Sequence, residues 1–287
     1  MFKPNLAEVP NEAVYFPKYA SPKLDGIRAC TVNGDTLTRS LKAVPNEYIR
    51  SRLKAFQGLD GEVIVGPPHA SDVYRVTNSA VMSHKGEPEF TYYVFDDLTN
   101  SGVFRDRLAS LRAMSLPPFI QVLEQRLIHT QPELDAYYQT LLEAGYEGVI
   151  LRNPGAKYKH GRSTAKSQDL LKLKPFADDD AVVLRVYEGR HNTNEAFTNE
   201  LGRTDRSTAA AGLIGNGMLG GFVVEDVKTG VQFDCAPGVL THAERVAVLQ
   251  QNPVGKIIKY RHMPYGLMAN GKPRFPRFIG WRSKEDM

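Results

Sequence analysis

A lysine, an acid, a glycine and an arginine stand close together in Lys23-Leu24-Asp25-Gly26-Ile27-Arg28. Lysine attacks an electrophile only as a neutral amine, so a nucleophilic lysine needs burial or positive neighbours that disfavour its charged form. A strand ending in a glycine-relaxed bend would hold Lys23 beside Arg28; an exposed charged turn would carry the same string. Glu62, in Leu59-Asp60-Gly61-Glu62-Val63, and Glu147, in Glu147-Gly148-Val149-Ile150-Leu151-Arg152, each enter an apolar run beside a glycine. A carboxylate there is unfavourable unless it is paired or holds a cation. Together the two could bind a divalent metal or a ribose; singly, each could be an edge-strand acid in solvent. Lys172 and Lys174 alternate with Leu171 and Leu173, which puts both ammonium groups on one face of a strand. At about 7 Å apart they repel, and a phosphate between them would relieve this. An amphipathic surface strand is the alternative. Phe95, in Tyr92-Tyr93-Val94-Phe95-Asp96-Asp97, can stack on a base or fill a core.

Periodicity indicates the elements that must position these groups. Residues 60–66, 90–97, 147–152 and 168–174 read as strands, and 104–114 and 132–144 as helices. Pro175 and the acidic run Asp178-Asp179-Asp180 break the pattern, and a domain boundary is expected there. Strand-like runs follow at 181–187, 219–227, 231–235, 255–262 and 274–282, with one helix at 241–250. That content suits an OB-fold barrel. The polar segment 191–218 is too long for an ordinary hairpin turn, so it is a disordered insert or a functional loop.

A length of 287 residues suits about two domains. The net charge of +4 and pI near 8.9 suit a polyanionic partner, or equally a slightly basic enzyme of small molecules. Cys30 and Cys235 form no C-x-x-C pair, so neither a zinc site nor a disulfide framework is indicated, and a reduced, cytoplasmic setting is expected. No secretory leader and no run near the ~20 apolar residues of a membrane span is visible. Two phosphate-loop patterns are decoys. Gly215 to Gly220 fits G-x-G-x-x-G but precedes a strand rather than a helix, and Gly266 to Lys272 is followed by Pro273 instead of Ser or Thr.

The ordered set does what no single motif does. Lys23 to Arg28, Thr38-Arg39-Ser40, Asp60-Gly61-Glu62, Phe95-Asp96, Glu147 to Ile150 and Leu171 to Lys174 together resemble the covalent nucleotidyltransferases. That superfamily comprises ATP-dependent DNA ligases, RNA ligases and mRNA capping enzymes. The resemblance is strongest to the minimal viral DNA ligases and runs from about residue 20 to the end. It includes Asn46 to Ile49, Thr77 to Met82, Gly161-Arg162-Ser163-Thr164 and Pro273 to Gly280.

The resemblance implies an α+β chain. An N-terminal nucleotidyltransferase (adenylation) domain of antiparallel sheets and flanking helices would span 1–177, and an OB-fold β-barrel 178–287. It implies an ATP-dependent DNA ligase, with an RNA ligase, a capping-type guanylyltransferase or a non-catalytic OB-fold nucleic-acid binder as alternatives. Lys23 would take AMP from ATP. Arg28, Glu62, Phe95, Lys172 and Lys174 would also bind ATP, with Phe95 on adenine and the lysines on the α-phosphate. Glu62 and Glu147 would hold Mg²⁺, or Mn²⁺ in its place. Arg28, Arg39 and Arg162 would grip the 5′-phosphate of nicked duplex DNA. The segment 191–218 would be a DNA latch carrying Arg203 and Arg206. Arg282 and Asp286 would orient pyrophosphate, although Arg282-Ser283-Lys284-Glu285-Asp286 lacks the R-x-D-K form of the wider superfamily. A monomer without membrane contact is expected, in the host-cell cytoplasm if its origin is phage or viral.

Overall fold

The computed structural model describes residues 2–264 and 271–282. The chain divides into two compact units, Met1–Lys174 and Pro175–Met287. In chain order the first unit runs β1 (Lys18–Pro22), β2 (Ile27–Val32), β3 (Asp35–Thr38), α1 (Glu47–Lys54), β4 (Leu59–Ile64), α2 (Val73–Met82) and β5 (Thr91–Asp97). It continues α3 (Phe104–Ala113), β6 (Ile120–Val122), β7 (Arg126–Ile128), α4 (Gln131–Glu143), β8 (Val149–Arg152) and β9 (Leu170–Leu173).

These strands form two sheets, ordered β3-β2-β4-β5-β6 and β7-β1-β8-β9. Alternation gives each sheet a dry face. On the first, Ala29, Val63, Tyr92 and Val94 pack on Ile49 and Leu53 of α1, Val81 of α2 and Leu111 of α3. On the second, Ala20, Leu151 and Leu171 pack on Leu134 and Leu141 of α4. Burial of such side chains supplies about 1.5–3 kcal/mol each, which fixes the register because a one-residue slip would expose the whole row. Helix ends are set locally. Asn46 accepts the Ile49 N–H at the start of α1, and Thr130 accepts the Glu133 N–H at the start of α4.

The second unit contains β10 (Ala177–Asn192), β11 (Ala196–Thr198), β12 (Thr204–Arg206), β13 (Leu213–Asp226), β14 (Gln232–Cys235), α5 (His242–Gln251), β15 (Ile257–Met263) and β16 (Arg274–Arg282). Its main sheet has the order β14-β13-β10-β15-β16. Phe222, Val224, Phe233, Ile258, Tyr260 and Phe278 fill its core, with Val248 of α5 against them. The expected barrel is not continuously closed. Among the described residues its outer strands, β14 and β16, meet near the bridge of Ala236 with Arg277, and the chain is α+β.

Two expectations are corrected here. The acidic run does not interrupt a strand; it lies inside β10, where Asp178 pairs with Arg261 and Asp180 with Lys259 in the register against β15. Asp178 receives two hydrogen bonds from Arg261 at 2.7 and 2.9 Å, Asp179 lies 2.9 Å from His262, and Asp180 accepts from Arg282 at 3.0 Å. Cross-strand hydrogen-bonding partners make the three acids compatible with a ladder. Nor is 191–218 a structureless insert. β10 and β13 stay paired out to Asn192 and Leu213, and β11 and β12 form a further hairpin at the tip. The glycine decoy Gly215–Gly220 lies within β13 and opens no helix. No helix is long and apolar enough to cross a membrane among the described residues.

Candidate active site

Residues directly opposed in an antiparallel pair share a face. Arg28 on β2 opposes Glu62 on β4, and Glu62 opposes Tyr93 on β5. This is the face turned away from the Ala29–Val63–Val94 core. β4 lies in the middle of its sheet, so Glu62 is not an edge-strand acid. Between Asp60 and Gly61 the register slips: Asp60 opposes Asp96, Gly61 opposes Val94, and Phe95 is the extra residue. This bulge brings Asp96 onto the same face as Asp60, beside Phe95.

Two fully buried carboxylates now face each other, and each is neutralised. Arg28 grips Asp60 with Nε at 2.8 Å and Nη2 at 2.5 Å. Arg107 donates to Asp96 through Nε at 2.6 Å, and Arg152 does so through Nη1 at 2.8 Å. Arg28 and Arg152 also lie over the Phe95 ring, 5.2 and 4.9 Å from its centroid. Desolvation opposes the Arg28 charge, but Asp60 outweighs it and holds the guanidinium well above its ordinary pKa. Tyr158 donates to Asp60 at 2.8 Å.

The second sheet supplies the remaining groups from strand ends. Lys23 follows β1 directly, and its N–H donates to the Gly148 carbonyl at 2.9 Å. That bond brings Lys23 alongside Glu147, and the Lys23 Nζ forms an ion pair with Glu147 Oε2. Lys174 Nζ lies 3.8 Å from Glu147 Oε1. Gly148 is needed for this geometry: it has φ +148°, and a Cβ there would sit 2.1 Å from the Leu173 carbonyl. Gly26 is needed for a different reason, since a Cβ would meet the Val63 carbonyl at 2.4 Å. Lys172 opposes Ile150, on the face away from Leu171, as the alternation predicts.

Lys172 is held below the usual lysine range, first by desolvation and then by the neighbouring Arg162 and Lys23. An anion at this cluster would relieve that excess of cations, so the donors fit a polyphosphate. Glu62 is pushed up to about 7, chiefly by desolvation and also by Glu147 and Asp25, against Lys23 and Arg28. A divalent cation near Glu62 would favour its ionised form. Among the described residues no group of three or more His, Cys, Asp or Glu could hold a metal. Glu62 and Glu147 interact electrostatically, and a carboxylate pair of this kind is compatible with a magnesium ion that takes its other ligands from phosphate and water.

Arg39 is exposed on the turn that the Leu41 N–H closes onto the Thr38 carbonyl. Arg162 is exposed and donates to the Ala7 carbonyl at 3.1 Å. Arg203 and Arg206 are exposed at the tip hairpin of the second unit, and Arg282 is paired with Asp180 there. Asp286 lies outside the described residues. Sequence reasoning gave no role to Asp60, Asp96, Arg107, Arg152, Tyr158 or the segment 5–8. Arg152 was detectable, because it ends an apolar strand two residues beyond Ile150 and so shares the Lys172 face.

Residues 5–174 match the family described as "ATP dependent DNA ligase domain", more than half of the chain. The chain belongs to the ATP-dependent DNA ligases. Residues 215–282 match the "DNA ligase OB-like domain". A DNA ligase of Haemophilus influenzae is 28% identical over 270 residues, covering 92% of this chain and 86% of that one. A probable DNA ligase of Mycolicibacterium paratuberculosis is 29% identical over 68% of this chain but only 39% of its own length. A solved Lig E DNA ligase, described as binding DNA with a minimal scaffold, superposes with TM-score 0.75 at 25% identity, covering 98% and 100% of the two chains. The Chlorella virus DNA ligase–adenylate gives TM-score 0.54 at 27% identity, covering 98% and 99%. This ligase thus combines a nucleotidyltransferase domain with an OB-like domain.

Proposed function

We propose that this ATP-dependent DNA ligase seals 5′-phosphate/3′-hydroxyl nicks in duplex DNA through an AMP carried on Lys23. The observation that carries the reading is the Lys23–Glu147 ion pair with Lys174 3.8 Å from the same carboxylate. Lys23 Nζ gives up a proton to solvent and, as the neutral amine, bonds to the α-phosphorus of ATP while the bond to pyrophosphate breaks; a second proton leaves to solvent as the phosphoramidate forms. An oxygen of the DNA 5′-phosphate then displaces the lysine, and the 3′-hydroxyl oxygen displaces AMP. Lys172 and Lys174 sit on the α-phosphate, where charge develops. Phe95 gives adenine a π surface, with Arg28 beside it. Glu62 and Glu147 would hold Mg²⁺, for which Mn²⁺ substitutes, and the bound ion would draw charge off the phosphoryl oxygens.

Residues 1–177 act as the adenylation domain and 178–287 as the OB-fold domain. The ribbon within 191–218 is the DNA latch, and its exposed Arg203 and Arg206 serve duplex phosphates. Arg39 and Arg162 grip the nick 5′-phosphate, and Arg282 with Asp286 orients pyrophosphate. The enzyme acts as a monomer, and its two free, buried cysteines suit a reducing cytoplasm.

The test is a nicked duplex with a 5′-phosphate or a 5′-hydroxyl, incubated with ATP or GTP. Sealing is expected only with ATP and the 5′-phosphate. Guanylylation without sealing would point to a capping-type enzyme, and binding without labelling to a non-catalytic protein.

A further inference from the structure

Residues 5–8 run beside the site through two isolated parallel bridges, Leu6 with Arg162 and Glu8 with Leu171. The Leu6 N–H donates to the Gly161 carbonyl at 2.9 Å, and the Ser163 N–H returns to the Leu6 carbonyl at 2.8 Å. The Glu8 N–H donates to Leu170 at 3.1 Å, and the Lys172 N–H to the Glu8 carbonyl at 2.9 Å. Between these ladder bonds, two carbonyls of the segment receive arginines. Asn5 accepts Arg28 Nη1 at 2.6 Å, and Ala7 accepts Arg162 Nη1 at 3.1 Å. Residues 5–8 thus touch Arg28, Arg162 and Lys172.

Their hold on the three is unequal. Arg28 is also gripped twice by Asp60, and Lys172 is fixed by the pairing of β9 with β8. Arg162 hydrogen-bonds the Ala7 carbonyl and, at 3.7 Å, pairs with Glu8 Oε2, both in the segment. The Glu8 pair is exposed and contributes little, so the backbone carbonyl is the stronger restraint. We propose that residues 5–8 are a positioning strap that aims the Arg162 guanidinium at the nick 5′-phosphate. The strap makes no contact with reacting atoms; it fixes where Arg162 points. The inference rests on the role given to Arg162 above.

The experiment uses the full chain and a pre-adenylated nicked duplex. Leu6→Pro removes the N–H bonded to Gly161 and loosens the strap. Its single-turnover sealing rate, per Lys23 site titrated with labelled ATP, is expected to fall about tenfold or more. The KM for ATP in Lys23 adenylation stays at the wild-type value. Leu6→Val keeps the N–H and restores sealing to within about threefold of wild type. If Leu6→Pro lowers sealing and adenylation per titrated site alike, the segment is merely structural and the proposal falls. Because a proline can impair folding, Glu8→Pro, which removes the N–H bonded to Leu170, is run in parallel under the same criterion. Arg162→Ala separates the two readings. If it seals normally, the role of Arg162 is wrong and the strap falls with it. If it is defective while both proline variants seal normally, the strap alone is wrong.

Discussion

Lys23 and Glu147 come from the ends of two strands that pair with each other, β1 and β8, and their side chains form an ion pair. The Lys23 N–H to Gly148 carbonyl bond extends that ladder by one step and sets the two side chains together. Glu147 is 8% exposed, so its removal leaves Lys23 and Lys174 without their shared carboxylate. Glu147→Ala is therefore expected to slow single-turnover adenylation about a hundredfold or more, the scale of a lost transition-state contact. Its far-UV circular dichroism is expected to match wild type. A wild-type rate would show that Glu147 only anchors the strand end.

Glu62 gives a pH signature. Its carboxyl is pushed up to about 7 in the folded chain from 4.5. Between those values the folded state keeps a proton that the unfolded chain has released. Stability contributed at this site therefore falls as pH rises through that window. In chelator-containing buffer, Glu62→Gln is expected to melt above wild type at pH 8, with the gap closing toward pH 5. A gap of the same size at both pH values would contradict this origin.

Asp96 carries a structural demand. It is fully buried between Arg107 and Arg152, which are themselves buried. Asp96→Asn leaves two guanidinium groups without their anion and is expected to lose about 3–5 kcal/mol in urea unfolding. A loss below about 1 kcal/mol would mean that solvent reaches this cluster.

The ribbon tip offers a salt test. Arg203 and Arg206 are exposed on and beside β12. Arg203→Ala/Arg206→Ala is expected to lower the slope of log affinity against log salt by about 2 on nicked duplex. Lys23 adenylation needs no DNA and is expected to stay at the wild-type rate. An unchanged slope would remove the ribbon from the DNA contacts.

The site was legible in sequence where its chemistry is local. Lys23, Glu62, Glu147, Lys172 and Phe95 each stand in a short string whose alternation or glycine already constrains the side chain. The Asp96–Arg152 pair joins residues 56 apart on two different sheets, and only the bulge at Phe95 and the approach of β5 to β8 bring them together. The acids of β10 looked like a break because their partners, Arg261, His262 and Arg282, lie in strands about 80–100 residues later, beyond any window of periodicity. The ribbon of β10 and β13 escaped for another reason. Much of its outer part is exposed, so no apolar row marks the strands.

The most direct measurement is peptide mass mapping after incubation with ATP. A single AMP is expected on the peptide containing Lys23, labile in acid and released when nicked DNA is added. Lys23→Ala is expected to carry none. Lys23→Arg is expected to carry none either, because a guanidinium stays protonated and cannot attack. AMP found on another residue, or retained on either variant, would contradict the assignment of Lys23 as the nucleophile.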